Sequence, residues 1–130
     1  MPLRQRRTRI ILAPYPLLAF VFGLGYILAG PQRLASPSLT FAKTVAPMWA
    51  WGVVFLAGAV TLTVAALGNS ARMFARALQI GGGIYTWWAV CLLISAFTQP
   101  GASLNAWAAY AFIAGSHFTL AWLLSTRTIT

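Results

Sequence analysis

The 130-residue chain contains no Asp and no Glu, against nine Lys or Arg, one His and one Cys. A soluble domain is about one quarter charged and hydrates its surface with charges of both signs. Here 7% of residues are charged, 60% are hydrophobic and the mean hydropathy is +0.79, so composition excludes a water-soluble domain and points to an integral membrane protein. Without carboxylates the chain lacks the usual general acids, bases and hard-cation ligands, and most hydrolytic and proton-relay chemistry goes with them. One His, one Cys and three Met on different segments do not form a metal site, and no cofactor is implied. The chain therefore reads as a non-enzyme. Its single cysteine, Cys91, lies inside an apolar run, excludes an intrachain disulfide and reads as a small buried apolar residue. The nine basic residues are spread out and not interleaved with aromatics, which argues against nucleic-acid binding; with no acidic partners, they point to anionic lipid head groups.

Four apolar runs are present, at about 10–30, 46–68, 77–97 and 104–126. A hydrocarbon core of about 30 Å takes about 20 helical residues. The fold class expected is thus all-α, a single membrane domain of four transmembrane helices. Arg4, Arg6, Arg7 and Arg9 precede the first run, which is longer than a signal-peptide core and lacks small residues at a cleavage spacing, so it reads as a retained helix. Pro14 and Pro16 fit its first turn or the residues just before it. Between the first two runs, Ser36-Pro37-Ser38 signals a helix start, and a short interfacial helix is expected at 38–45 with Lys43 in the head-group layer. Gly68 and Asn69 mark a helix end, Arg72 and Arg76 a short basic connection, and Pro100-Gly101 a turn.

With the N-terminus inside, Arg4, Arg6, Arg7, Arg9, Arg72, Arg76 and Arg127 fall on the cytoplasmic side, and Arg33 and Lys43 outside. The positive-inside rule then places both termini in the cytoplasm. The first six of these arginines are the expected lipid head-group contacts. Trp49, Trp51 and Trp107 would share the outer interface as aromatic anchors, with Trp122 near the inner one.

His117 is the one imidazole at membrane depth, and Tyr110, seven residues earlier, lies on the same helical face beside a stripe of Ala114 and Ala121. One reading gives His117 proton transfer or a pore lining; the other makes it a neutral hydrogen-bonded packing residue, and the second is favoured. Trp87 and Trp88 sit near mid-membrane and fill the bundle core or a partner groove, with ligand stacking as the lesser option. His117, Tyr110, Trp87 and Trp88 together form the candidate intramembrane site. Gly25-xxx-Ala29 and Ala111-xxx-Gly115 fit close helix packing, within the chain or between copies. Gly81-Gly82-Gly83 lacks a phosphate-loop context and reads as a flexible or tightly packed helix start.

Pro47-Met48-Trp49-Ala50-Trp51-Gly52 opening a span, after Ser-Pro-Ser and a glycine-rich first helix, resembles small four-span membrane proteins of actinobacterial bacteriophages. That resemblance covers about the first half of the chain and implies a host cytoplasmic membrane location, with holin-like permeabilisation as one option. Phe22-Gly23-Leu24-Gly25-Tyr26-Ile27-Leu28-Ala29-Gly30 is similar, more loosely, to DoxX-like four-span proteins, which implies a membrane redox or transport accessory holding a hydrophobic ligand; the basic residue after the glycine stands at Arg33, and acidic positions are missing. The function expected is non-catalytic action in the membrane by helix packing, homo-oligomerisation or binding of another membrane protein.

Overall fold

The computed structural model of the chain describes residues 12–68 and 70–126. Arg4, Arg6, Arg7, Arg9, Asn69 and Arg127 lie outside the described residues. The described residues form an all-α structure: α1 (Pro14–Ile27), α2 (Pro31–Leu34), a 3-10 turn (Pro37–Leu39), α3 (Thr40–Val45), α4 (Met48–Leu67), α5 (Ala71–Thr98) and α6 (Leu104–Thr126). Three of these, α4, α5 and α6, are long and apolar enough to cross a membrane, and α1 is a shorter apolar helix of 14 residues.

Proline and glycine set several boundaries. Pro14 occupies the first turn of α1, where the missing amide donor costs little. At the far end of the first run, Pro31 disfavours helical conformation in the residue before it, and Gly30 is extended (φ −71°, ψ 168°). The run at 10–30 is therefore interrupted before its end. Pro47, also extended, delivers the chain into α4 at Met48. The turn between α5 and α6 has Pro100 followed by Gly101 at φ +81°, closed by Ala102 N–H donating to the Gln99 carbonyl at 3.2 Å; this is the type II pattern, in which glycine supplies the positive φ.

The third apolar run differs most from its helix. α5 starts at Ala71, six residues before the run at 77–97, because Ser70 caps it by accepting from Met73 N–H at 3.3 Å. Arg72 and Arg76 thus stand on exposed helical turns rather than in a connection. At about 1.5 Å per residue, the 28 residues of α5 extend about 42 Å, beyond a hydrocarbon core of about 30 Å.

The helices pack as two close antiparallel pairs, α1 on α4 and α6 on α5, joined through α4 and α5. Leu12 clusters with Leu62 and Ala65 at one end of the first pair, whereas Tyr26 clusters with Trp51 at the other. α1 and α4 meet at Gly23 and Gly52: a Cβ on Gly52 would lie 2.7 Å from the Gly23 carbonyl oxygen, and one on Gly23 would lie 2.9 Å from that of Gly52. The second pair meets at Gly81 and Gly82, which lie inside α5 under His117 and Phe118. Gly81 and Gly82 thus form a packing surface in mid-helix, with Gly83 exposed beside them, and the triplet is not a helix start.

The segment between α1 and α4 closes one end of the bundle. The interfacial helix expected at 38–45 divides into the 3-10 turn and α3. Phe41 N–H donates to the fully buried Ser95 Oγ at 3.0 Å, and Ser103 N–H to Ser38 Oγ at 3.0 Å. Lys43 Nζ donates to the Leu34 carbonyl at 2.6 Å within the same segment.

Candidate functional site

Aromatic side chains from four helices converge in the bundle. Each helix supplies them at a spacing that keeps them on one face: Phe22 and Tyr26 from α1, Trp51 and Phe55 from α4, Tyr85 and Trp88 from α5, Tyr110 and His117 from α6. The rings touch in series. Trp51 meets Trp88 edge-on at 4.9 Å between centroids, Trp88 meets Tyr26 at 4.8 Å, Phe55 meets Tyr85 at 5.2 Å and Phe22 meets Tyr110 at 5.0 Å. Tyr85 lies 5.0 Å from His117, and Tyr15 closes the series edge-on to His117 at 4.7 Å. Tilted and edge-to-face pairs of this kind add about 0.5–1.5 kcal/mol each beyond area burial.

The polar tips of these rings are unevenly partnered. Tyr26 and Tyr110 share a hydroxyl hydrogen bond of 2.9 Å that links the first helix to the last. Trp51 Nε1–H donates to the Ala42 carbonyl at 3.0 Å and so fastens α4 to α3. His117, fully buried, places Nδ1 2.8 Å from the Ile113 carbonyl of the preceding turn. A carbonyl only accepts, so Nδ1 carries the proton, and in the neutral ring Nε2 presents a bare lone pair. Among the described residues neither His117 Nε2, Tyr85 Oη nor Trp88 Nε1 makes a hydrogen bond, although all three are buried. The Trp88 indole still interacts with the Tyr26–Tyr110 pair beside it. An unpaired buried polar atom costs about 1–3 kcal/mol.

The structure brings Trp88, Tyr110 and His117 into this one core and leaves out Trp87, which is 51% exposed on an outer face of α5. Consecutive helical residues point about 100° apart, so the two tryptophans cannot share a site. Trp51, expected as an interface anchor, is buried in the core with its indole N–H spent on Ala42; Trp49 faces outward at 62% exposure, and Trp107 is partly buried against the core. Cys91 is fully buried, and among the described residues no group of His, Cys, Asp or Glu is placed to hold a metal. Sequence reasoning missed Tyr15, Phe22, Tyr26, Phe55 and Tyr85. The available signal was aromatic spacing of three or four residues: Phe22 to Tyr26, Trp51 to Phe55 and Tyr85 to Trp88.

No family model, curated protein or solved structure matches this chain. Chemically, the arrangement offers neutral donors and acceptors in an apolar, ring-lined interior. It holds no Asp or Glu side chain, and the positive charge of Arg33 lies close enough to act on the Tyr26 and Tyr110 hydroxyls.

Proposed function

We propose that the chain is a non-catalytic four-span protein of a bacterial cytoplasmic membrane, N-in and C-in, which works by associating through α6 with further copies of itself. Holin-like permeabilisation of a phage-host membrane is the sharpest form of this reading. The observation that carries it is the scant cover on α6: 17% of its apolar window is buried, against 39% for α4 and 44% for α5. Phe112 and Trp122 project from it, and a Cβ at Gly115 would meet nothing within 4 Å. Apolar side chains gain little by leaving lipid, so membrane helices associate where small residues allow close backbone approach. The exposed stretch of α6 around Ala108, Gly115 and Thr119 has that character. The bundle core is filled with rings, so an aqueous path would have to form between copies rather than through one.

The proposed orientation is supported by the charge pattern. Arg72 and Arg76 stand at the α4–α5 end of the bundle, whereas Arg33 and Lys43 stand at the opposite end, and in the sequence Arg4, Arg6, Arg7 and Arg9 together with Arg127 bring the count to seven against two. Arg72 and Arg76 would then meet anionic head groups of the inner leaflet.

Two measurements test the association reading. Induced expression in a bacterial host is expected to give a sudden, timed loss of membrane potential. In a Cys91→Ala background, Phe112→Cys is expected to cross-link into a dimer on mild oxidation in membranes, while Ala114→Cys, buried against α5, is not. Stable insertion with neither depolarisation nor a Phe112→Cys dimer would overturn the proposal.

A further inference from the structure

We infer that Tyr85 and His117 form a binding site for one hydroxyl group, supplied either by water or by an alcohol-bearing membrane amphiphile. Both side chains lie inside a single bundle, so the hydroxyl site itself does not need self-association, although the groove that leads to it shares Phe112, Gly115 and Thr119 with the contact face proposed for α6. Two fully buried rings on α5 and α6, with centroids 5.0 Å apart, end in polar atoms of opposite capacity that no described protein group satisfies. His117 Nε2 is held as an acceptor, because Nδ1–H is committed to the Ile113 carbonyl. Tyr85 Oη brings a proton to donate.

An O–H group is the smallest unit that satisfies both, donating to Nε2 while accepting from Tyr85. A carbonyl or ether oxygen can accept from Tyr85 but offers Nε2 nothing. An ammonium donates to Nε2 but cannot accept from Tyr85, and would bring an unpaired charge into an apolar core.

A groove supplies a route. A Cβ on Gly81 would lie 3.0 Å from His117 Cδ2 and 3.3 Å from Nε2, so the α5 backbone packs close against that edge of the imidazole and any side chain there would crowd the nitrogen. Tyr15 stands edge-on to the imidazole at 4.7 Å. Tyr15 also lines an open groove of about 460 Å³ with Phe112, Gly115, Leu120 and Leu123. Ser116 and Thr119 border it too, but their hydroxyls donate back to the Ile113 and Gly115 carbonyls at 2.7 and 2.9 Å. The groove wall is thus apolar in effect and suits a hydrocarbon chain, with Tyr15 as the side chain that must turn aside for its head to reach His117.

His117 is the only histidine, so uniform ¹⁵N-histidine labelling of the full chain reports this ring alone. The protein is purified in micelles and titrated with 1-dodecanol or, as the control lacking the O–H, 1-methoxydodecane. The expected result is an Nδ1–H tautomer whose Nε2 resonance is shifted by an accepted hydrogen bond. A ring-proton cross-peak to water before any addition identifies water as the source; one to dodecanol, with a further Nε2 shift, identifies the amphiphile. Tyr85→Phe is expected to weaken dodecanol binding about tenfold, the worth of one hydrogen bond of about 1.4 kcal/mol. The inference is overturned if Nε2 carries the proton, if Nε2 remains bare in both titrations, or if methoxydodecane shifts it as dodecanol does. It is equally overturned if Nε2 contacts the Tyr85 hydroxyl proton directly, with no third group between them.

Discussion

Trp88→Ala is expected to be the most damaging truncation in the chain, lowering the unfolding free energy by about 3–5 kcal/mol, the range for aromatic residues cut back in a packed core. Trp88 is fully buried and touches Tyr26, Trp51, Phe55 and Tyr110, so its removal opens a cavity bordered by all four long helical segments. In lipid the loss falls mainly on packing, since tight contact between helices rather than escape from water holds a membrane bundle together. Trp87→Ala is the matched control. It removes the same side chain one residue away, but from a position 51% exposed, and is expected to cost less than about 1 kcal/mol. Reversible unfolding in mixed micelles, followed by tryptophan fluorescence, reads both. Equal effects would show that the aromatic series does not set the stability of the bundle.

Gly52→Val is expected to have the second largest effect, separating α1 from α4. A Cβ at this position would lie 2.7 Å from the Gly23 carbonyl oxygen, 2.6 Å from Ile27 Cγ1 and 3.1 Å from the Ile27 nitrogen. Two of those atoms are backbone and cannot turn aside, so the helices must move apart, at a cost of about 1–3 kcal/mol or more for overpacking. The shift also pulls Tyr26 away from Tyr110, and their 2.9 Å hydrogen bond lengthens or breaks. Gly83→Ala is the contrast, with nothing within 4 Å of the added carbon; relief of glycine's backbone entropy in mid-helix is expected to raise stability by about 0.5–1 kcal/mol. Thermal unfolding of the two variants in the same detergent tests the opposite signs. A tolerated Gly52→Val would mean that α1 is not seated on α4 as described.

Much of this architecture was legible in the sequence, and the failures have physical causes. Helices that are apolar on every side are readable as segments because length and hydropathy suffice, and α6 spans 104–126 as its run does. Where helix and run part company, a local signal outweighs hydropathy. Ser70 caps α5 upstream of its apolar stretch, and Pro31 stops the helical conformation before the first run is exhausted. The inward faces were harder to read. A membrane helix shows no polar stripe to mark its outward side, so the sequence places Trp51 and Trp87 by depth and not by face. Depth alone cannot separate an anchor from a core residue. His117 stands out in the sequence because it is chemically unusual at that depth, whereas Tyr85, its equally buried neighbour, is one aromatic among many.

The hydrogen bonds between the Phe41 amide and Ser95, and between the Trp51 indole and Ala42, have a mechanical consequence. Together they turn the longest stretch between apolar runs into a strut that ties the start of α4 to the far end of α5. Most of its peptide bonds are already wound into helical turns. A protease offered to that end of the molecule would find little extended backbone to grip, and a force separating α4 from α5 would first have to tear this strut from its seat.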